Sequence, residues 1–345
     1  MGGKRFYMED LYWWMALERA PFVGPITISR LISAFGNPQS VIGADFQTIK
    51  NKAGVSSRIA ESLGAYRPPE YDIRKDMEKL DKLGARVITR WQADYPGNLL
   101  TIYDPPAMLF VRGTLKTQDN QAIAVVGSRE CSHYGENMAS ALTRDLVRAG
   151  LCIVSGLARG VDTVAHTTAL NEGGRTIGVL GCGLDINYPR ENRELVEKMS
   201  SEGVVMTEFR PGVEPLKTNF HRRNRIVSGL SRGVVVVEAS RRSGSLITVN
   251  HALDQGREVF AVPGNVLYER SRGPHHLIKQ GAGLVEHAQD IVSALFSSSG
   301  PVRQTQSCLP KPRLPEPDMS EPARRVFDLL DVDSVPVDTI CRASS

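Results

Sequence analysis

The stretch IAVVGSR at residues 123–129 decides the fold. Four apolar residues followed by a glycine and two polar residues indicate a buried strand that ends in a tight loop. Similar apolar runs lie at residues 151–154, 176–180, 204–206, 234–237 and 259–262. Helical patterns separate these runs, and strands that alternate with helices form parallel sheets covered on both faces. The sequence therefore predicts an α/β fold with a doubly wound parallel sheet.

Residues 1–66 precede this pattern and carry apolar residues at the helical spacing of three and four. Glycine-centred turns at residues 23–25 and 53–56 each lead into a helix, which is typical of helix-hairpin-helix and SAM-like modules. Backbone N–H groups at such a helix start can hold a phosphate. Two interpretations of this small helical domain stay open: it contacts DNA, or it packs against the sheet or a partner.

Residues 67–296 form the second predicted domain, which begins with a connector over residues 67–113. The connector is predicted to contain a helix at residues 72–83 and a strand at residues 85–89. Residues 297–318 are rich in Ser, Pro and Gln and are predicted to be a flexible linker. An amphipathic helix is predicted from Ser320, but the 26 residues from there onward are too few for a core of their own.

Composition limits the classes of protein that fit. The net charge of +4 is too small to indicate nucleic acid by itself. The five cysteines are scattered without CxxC spacing, which argues against a zinc site or a disulfide framework and fits a reducing cytosol. No signal peptide pattern and no apolar run of the length needed to span a bilayer is present. We therefore expect a cytoplasmic protein that does not bind membranes.

The most informative stretch is KTNFHRRNR at residues 217–225, before a helical pattern at residues 224–230. Its cations can neutralise phosphates, and the ring of Phe220 can stack on a base. The alternative is that Phe220 is core and the arginines are solvated. Cations at a helix start are unfavourable unless an anion is bound, because the helix dipole is positive there. This mismatch favours nucleic-acid binding.

Other loops are predicted to reach the same edge of the sheet, because ligands of open parallel sheets bind at the carboxyl ends of the strands. Residues 127–129 supply a close-approach glycine, a hydroxyl and a guanidinium, and residues 243–245 supply hydroxyls and helix-start N–H groups. The predicted DNA-binding residues are Gly127, Ser128, Arg129, Arg190, Lys217, Phe220, Arg222, Arg223, Asn224, Arg225, Ser243, Gly244 and Ser245.

Catalytic residues are not predicted. The dinucleotide fingerprint GxGxxG is missing, as are a P-loop, a nucleophile elbow and a metal-ligand set. His166 is interpreted as a structural histidine, and Glu238 stands at a strand end without an evident partner base. We therefore expect neither cofactor nor metal, and no enzymatic activity.

Several motifs together resemble the DNA-processing protein A family (DprA, also called Smf). They are VVGSR at 125–129, YG at 134–135, SGLARGVD at 155–162, AH at 165–166, YPREN at 188–192, FHRRNR at 220–225, SGSLIT at 243–248, VPG at 262–264, and upstream YP at 95–96 and DPP at 104–106. The resemblance covers about residues 11–295.

The resemblance implies an extended Rossmann domain, a helical SAM-like N-terminal domain and a winged-helix C-terminal domain. It further implies binding of single-stranded DNA, protection of incoming DNA and loading of the recombinase RecA during natural transformation, by a homodimer formed through the Rossmann domain. The family's Gly-Ser-Arg loop falls on residues 127–129, and its pocket lysine and aromatic fall on Lys217 and Phe220. Residues 319–345 match only the opening of the winged helix.

Two alternatives carry different functions. One is a nucleotide-binding hydrolase of the related cytokinin-activating LOG type, whose Pro-Gly-Gly-x-Gly-Thr loop and catalytic glutamate are not matched by residues 242–248. The other is a duplex-binding regulator that uses the C-terminal helices.

Overall fold

A computed structural model describes residues 2–296 of the chain, with the backbone alone for residues 2–9. The predicted linker at 297–318 and the predicted winged-helix segment at 319–345 lie outside the described residues. Among the described helices, none has both the length and the apolar character needed to cross a membrane.

A single sheet of nine strands forms the centre of this part of the protein. The strands are β1 (Arg86–Thr89), β2 (Met108–Gly113), β3 (Ala122–Val126), β4 (Cys152–Ser155), β5 (Thr176–Val179), β6 (Val204–Thr207), β7 (Gly233–Val236), β8 (Glu258–Ala261) and β9 (Gly283–Leu284). Their order across the sheet is β1-β2-β6-β5-β4-β3-β7-β8-β9. The seven strands from β6 to β9 in this order are parallel. The predicted α/β fold is thus confirmed, with a sheet that is mostly parallel.

At one edge the sheet departs from the predicted parallel arrangement. Strand β2 lies within the predicted connector and runs antiparallel to both of its neighbours, so that Phe110 is opposite Val87 on one side and Thr207 on the other. The first four residues of β2 are buried, and the strand lies between β1 and β6. An apolar run in the sequence indicates burial but does not reveal which way its partners run, so this pairing was not predicted.

Helices cover both faces of the sheet. The α-helices are α1 (Gly2–Arg19), α2 (Pro25–Phe35), α3 (Pro38–Ile42), α4 (Phe46–Ala53), α5 (Ser57–Ala65), α6 (Glu70–Lys82), α7 (Gly97–Leu100), α8 (His133–Arg148), α9 (Val161–Asn171), α10 (Arg193–Glu202), α11 (Lys217–Leu230), α12 (Ser245–Asp254), α13 (Arg272–Lys279) and α14 (Ala288–Phe296). Side chains alternate along a strand. In β3, Ile123 and Val125 therefore pack with α8, α9 and α14, whereas Ala124 and Val126 pack with α11, α12 and α13.

Helices α1–α5 form an N-terminal helical region with a core of its own. That core contains Leu17, Leu31, Ile49 and Leu63. Ala107, just before β2, belongs to the same cluster, and the ring of Trp14 stacks on Trp91 with centroids 5.0 Å apart. The predicted helical region is therefore present and packs directly against the first strands of the sheet.

His166 on α9 is fully buried beside β5. Its Nδ1 lies 2.7 Å from Oγ1 of Thr176, and the Thr176 hydroxyl donates to the carbonyl of Ile153. Nδ1 therefore carries the proton that it donates to Thr176. Burial, and to a lesser extent the charge of Arg223, lowers the pKa of His166 from 6.5 to about 3. These contacts suit a structural histidine that stays neutral.

Acidification is expected to destabilise the protein through His166. The unfolded chain takes up this proton near pH 6.5, but the folded protein takes it up only near pH 3, so stability falls as the pH drops through that window. Between about pH 7.5 and pH 5, we expect a loss of about 2 kcal/mol in the free energy of unfolding from this residue. Urea unfolding at both pH values measures it. The variant His166→Gln should lack this component, and equal pH dependence in both proteins would contradict the assignment.

Candidate nucleic-acid interface

The carboxyl ends of β3 and β7 border a cavity of about 640 Å³. The chain continues from β3 to β4 on one side, whereas β7 and β8 lie on the other, so the strand order reverses here. Open parallel sheets form their ligand-binding crevice at such a point. Nine of the predicted residues line the cavity: Gly127, Arg129, Lys217, Phe220, Arg223, Asn224, Ser243, Gly244 and Ser245.

Helix α11 begins at the mouth of this cavity. It starts at Lys217, so the basic run itself forms the first turns of the helix and does not precede it. The preceding residue, Leu216, has no polar side-chain atom with which to cap the helix start. Lys217 is exposed and forms no ion pair with any residue that the structure describes. A lysine and the positive end of a helix thus lie at the same cavity, which suits an anion.

The ring of Phe220 lies one turn further along α11 and forms part of the cavity wall. It packs closely over Gly181, where an added Cβ would lie 2.6 Å from the ring. The ring of Tyr188 lies beside it, with centroids 5.3 Å apart and an interplanar angle of 34°. Phe220 is therefore an aromatic surface fixed from behind by backbone and from one side by a second ring.

Two guanidinium groups flank this ring. The Cζ atoms of Arg129 and Arg223 lie 5.3 and 5.8 Å from the Phe220 centroid. Arg129 is exposed, comes from the loop after β3, and forms no ion pair among the described residues. The loop after the first parallel strand and the start of α11 thus bring their cations to one aromatic ring.

Arg223 is buried beneath the cavity, with 4% of its surface exposed. Its guanidinium packs on Gly156 so closely that an added Cβ there would overlap it. Among the described residues, its Nε has no hydrogen-bond partner. Burial lowers the pKa of Arg223 to about 10, against the attraction of Asp162. The folded protein therefore holds a buried cation whose charge is not fully compensated.

The loop after β7 forms the opposite wall. The hydroxyls of Ser243 and Ser245 lie 2.7 Å apart, and the amide of Asn224 donates to the carbonyl of Gly244 at 3.4 Å. Helix α12 begins at Ser245 without a side-chain cap from Gly244. The first N–H groups of α12 donate within the turn, to Oγ and the carbonyl of Ser243 and to the carbonyl of Gly244. The hydroxyls of Ser243 and Ser245 therefore join the cations of α11 in one cavity.

Four predicted residues do not line the cavity: Ser128, Arg190, Arg222 and Arg225. Ser128 accepts a hydrogen bond at Oγ from the N–H of Glu130 and shapes its own loop. Arg190 is exposed, at the point where the chain turns into the short 3₁₀ helix Arg190–Asn192.

The expectation that all three arginines of the run face one ligand needs correction. Arg225 is buried, and its Nη2 lies 2.6 Å from Oε2 of Glu208. Its Nη1 also donates to the backbone carbonyl of Asp104 at 2.8 Å. Arg222 contacts the same Glu208 oxygen at 2.9 Å. Side chains on a helix point in different directions at successive positions, so Arg222 and Arg225 face the buried carboxylate and Arg223 faces the cavity.

Tyr188 and Asp162 line the cavity but were not predicted to do so. Tyr188 stands two residues before Arg190 in a loop that the sequence did place at this edge. Asp162 is the cavity's only carboxylate among the described residues. Its Oδ2 accepts hydrogen bonds from the N–H groups of Gly156 and Ala158, at 3.1 and 3.2 Å. Burial raises the pKa of Asp162.

The acidic groups near the cavity have structural partners. Glu238 accepts hydrogen bonds from the backbone N–H and the hydroxyl of Ser132, at 2.9 and 2.5 Å. Asp162 is held by backbone N–H groups and is not paired with a histidine. Within residues 2–296, no cluster of three possible His, Cys, Asp or Glu metal ligands occurs. The arrangement suits binding of an anion with an aromatic part.

Comparison with known proteins identifies the family. The family model for DNA recombination-mediator protein A matches residues 86–296. DNA processing protein DprA of Streptococcus pneumoniae is 48% identical over 199 residues, covering 58% of this chain and 70% of that protein. Protein Smf of Escherichia coli is 43% identical over 248 residues, covering 72% of this chain and 66% of that protein.

Two solved structures of such proteins are similar. The X-ray structure of DprA from S. pneumoniae has a TM-score of 0.72 at 37% identity and covers 82% of this chain and 97% of that one. A structure describing the single-stranded DNA binding mode of DprA from Helicobacter pylori has a TM-score of 0.56 at 28% identity, covering 62% and 96%. Since the family model spans more than half of the chain and relatives exceed 40% identity, this chain belongs to the DNA recombination-mediator protein A family.

Proposed function

We propose that this protein binds single-stranded DNA in the cavity between β3 and β7 and acts there as a recombination mediator. The observation that carries the proposal is a set of cations that form no ion pair with a described residue and line one cavity: Arg129 and Arg223 beside the ring of Phe220, and Lys217. The similar H. pylori structure, which describes a single-stranded DNA binding mode, supports single-stranded DNA as the ligand.

The geometry suits a strand with unstacked bases. A phosphate would be drawn to Lys217 and Arg129 and to the N–H groups at the start of α11, while a base would stack on Phe220. A duplex keeps its bases stacked inside, so it cannot present one to this ring. The residues of the cavity wall can stack on a base and attract a phosphate, but few of them can recognise the edge of a particular base. We therefore infer that the protein binds single-stranded DNA with little sequence preference.

Arg223 gives the proposal an energetic basis. A buried cation without full compensation destabilises the folded protein. The free-energy cost of removing this cation from water is part of folding, so ligand binding does not add that cost again. An anion in the cavity would compensate this charge in a place that water reaches poorly, where electrostatic attraction is stronger than at the surface.

The proposal also covers the domains, the location and the partners of the protein. We infer that residues 1–66 form a SAM-like domain and that residues 67–296 form an extended Rossmann domain. We infer that the protein works in the cytoplasm as a homodimer through the Rossmann domain. There it would protect incoming DNA and load RecA during natural transformation, as the resemblance to DprA implies.

Removal of either exposed cation is expected to weaken binding without loss of the fold. Arg129→Ala and Lys217→Ala should each lower affinity for an oligothymidylate roughly tenfold or more, because each removes a phosphate contact. The slope of log K against log salt, about −2 to −3 in the unaltered protein, should become less steep by about 0.7 per contact. Fluorescence anisotropy across a salt series measures both. Lys198→Ala, an exposed lysine on α10, is the matched control. Unchanged affinity in both cavity variants would disprove the site.

Arg223 and Arg225 should respond in opposite ways to the same substitution. Arg223→Gln should abolish most of the binding and change the free energy of unfolding by less than about 1 kcal/mol, because the cation lacks a full partner. Arg225→Gln leaves Glu208 buried with one partner fewer and should cost about 3–5 kcal/mol of stability. Urea unfolding and anisotropy on both variants make the comparison. Equal destabilisation by the two substitutions would mean that Arg223 is structural.

A further inference from the structure

The turn between α1 and α2 displays an aromatic ring in a strained conformation. Phe22 has a φ of +64°, in the left-handed region, and 56% of its surface is exposed. This conformation costs a residue other than glycine about 1–2 kcal/mol. Because more than half of Phe22 is exposed, burial of its ring offsets little of this cost, and strained residues of this kind occur preferentially at binding sites.

Helix α5 holds this ring in place. The Cζ of Arg58 lies 3.9 Å from the centroid of Phe22, and the hydroxyl of Ser62 donates to the carbonyl of Pro21 at 3.4 Å. Arg58 is exposed and forms no ion pair with any described residue, including Glu61 one turn further along α5. Phe22 and Arg58 therefore form a platform of one ring and one uncompensated guanidinium, which we call the Phe22–Arg58 platform.

The platform adjoins the helix that enters the candidate interface. Val23 and Gly24, the residues after Phe22, line a cavity of about 220 Å³ together with Arg222 of α11. The residue before Arg222, His221, lines the cavity between β3 and β7. A helix rises 1.5 Å per residue, so Lys217 and Arg222 are separated by roughly 7.5 Å along the axis of α11.

Two acidic residues also line this smaller cavity, Glu18 and Glu208. Glu208 is buried and accepts hydrogen bonds from Arg222 and Arg225, so its charge is compensated inside the protein. Glu18 is next to Arg19, and burial raises the pKa of its carboxyl. The side chain of Arg222 is half-exposed at the rim. Arg222 lies on the face of α11 turned away from the cavity between β3 and β7, so a strand that leaves that cavity passes around α11 to reach Arg222 and the platform.

We propose that the Phe22–Arg58 platform is a second contact for single-stranded DNA, which takes up the part of the strand that leaves the cavity between β3 and β7. The ring and the guanidinium stack on a base, and the guanidinium attracts a phosphate. This inference rests on the proposed function of the cavity.

The length of the DNA oligonucleotide distinguishes binding in the cavity from binding at the platform. Anisotropy is measured with fluorescent oligothymidylates of about 5 and about 30 nucleotides, the shorter of which fills only one contact. The variants are Phe22→Gly, which removes the ring and suits the left-handed backbone, and Arg58→Gln. We expect affinity for the long strand to fall roughly tenfold in either variant, and affinity for the short strand to stay within about twofold. Arg58→Gln should also reduce the salt slope for the long strand by about 0.7.

Tyr71 supplies the matched control. It is a 77% exposed ring with the amine of Lys75 at 5.9 Å, on α6, and Tyr71→Ala should change neither affinity. Equal losses on both lengths in Phe22→Gly, or no loss on the long strand, would overturn the platform. So would a loss that follows a change of oligomeric state in light scattering, because the surface would then contact a second copy. Lys217→Ala must weaken both lengths; if it weakens neither, the proposed function of the cavity fails instead.

Discussion

The buried carboxylate of Glu208 divides helix α11 into two faces, and the candidate interface depends on that division. Oε2 of Glu208 contacts Arg222 and Arg225 at 2.9 and 2.6 Å, which fixes the side of α11 that faces away from the cavity. A buried ion pair is a weak source of stability but a strong constraint on geometry, because leaving either charge without its partner is costly. With two arginines held behind the helix, Lys217, Phe220 and Arg223 are left to face the end of the sheet.

Glycines without side chains complete this arrangement. Phe220 reaches its position only because residue 181 has no Cβ, and the guanidinium of Arg223 lies against residue 156 for the same reason. Both glycines follow parallel strands, at the edge where loops from several strands converge. The cavity is therefore produced by the topology of the sheet and by backbone that can be approached closely, and its charge is supplied afterwards by α11 and the loop after β3.

The sequence predicted the parts of the structure that depend on local patterns. Apolar runs predicted six of the seven parallel strands, whereas the two-residue strand β9 is too short to give such a pattern. The cations around Phe220 indicated the candidate interface. Pairings that depend on distant residues were not predictable in this way. Nothing near Arg225 in the sequence distinguishes it from Arg223, and its partner Glu208 lies beyond the loop that leads into α11. Likewise, the direction of β2 depends on its pairing with β1 and β6, which the sequence of β2 does not reveal. In the YPREN loop the residue type of Arg190 indicates a phosphate contact, whereas the direction of the Tyr188 ring depends on the folded loop, so the sequence predicts Arg190 and not Tyr188.

Local compensation of charge, and not the net charge of +4, determines where a polyanion would bind. Several arginines near this edge of the sheet are neutralised by carboxylates: Arg159 by Glu191, and Arg222 and Arg225 by Glu208. The cations around Phe220 differ because no ion pair with a described residue absorbs their charge. The same distinction applies on α5, where Arg58 stands over a ring and not beside a carboxylate. A cation stacked on an aromatic keeps most of its field available to a phosphate, since the ring stabilises the charge without cancelling it. Tyr71 under Lys75 has the same form, so an aromatic under an unpaired cation indicates a nucleic-acid contact only where a second observation supports it. For Phe220 that observation is the cavity at the ends of the strands, and for Phe22 it is the left-handed backbone.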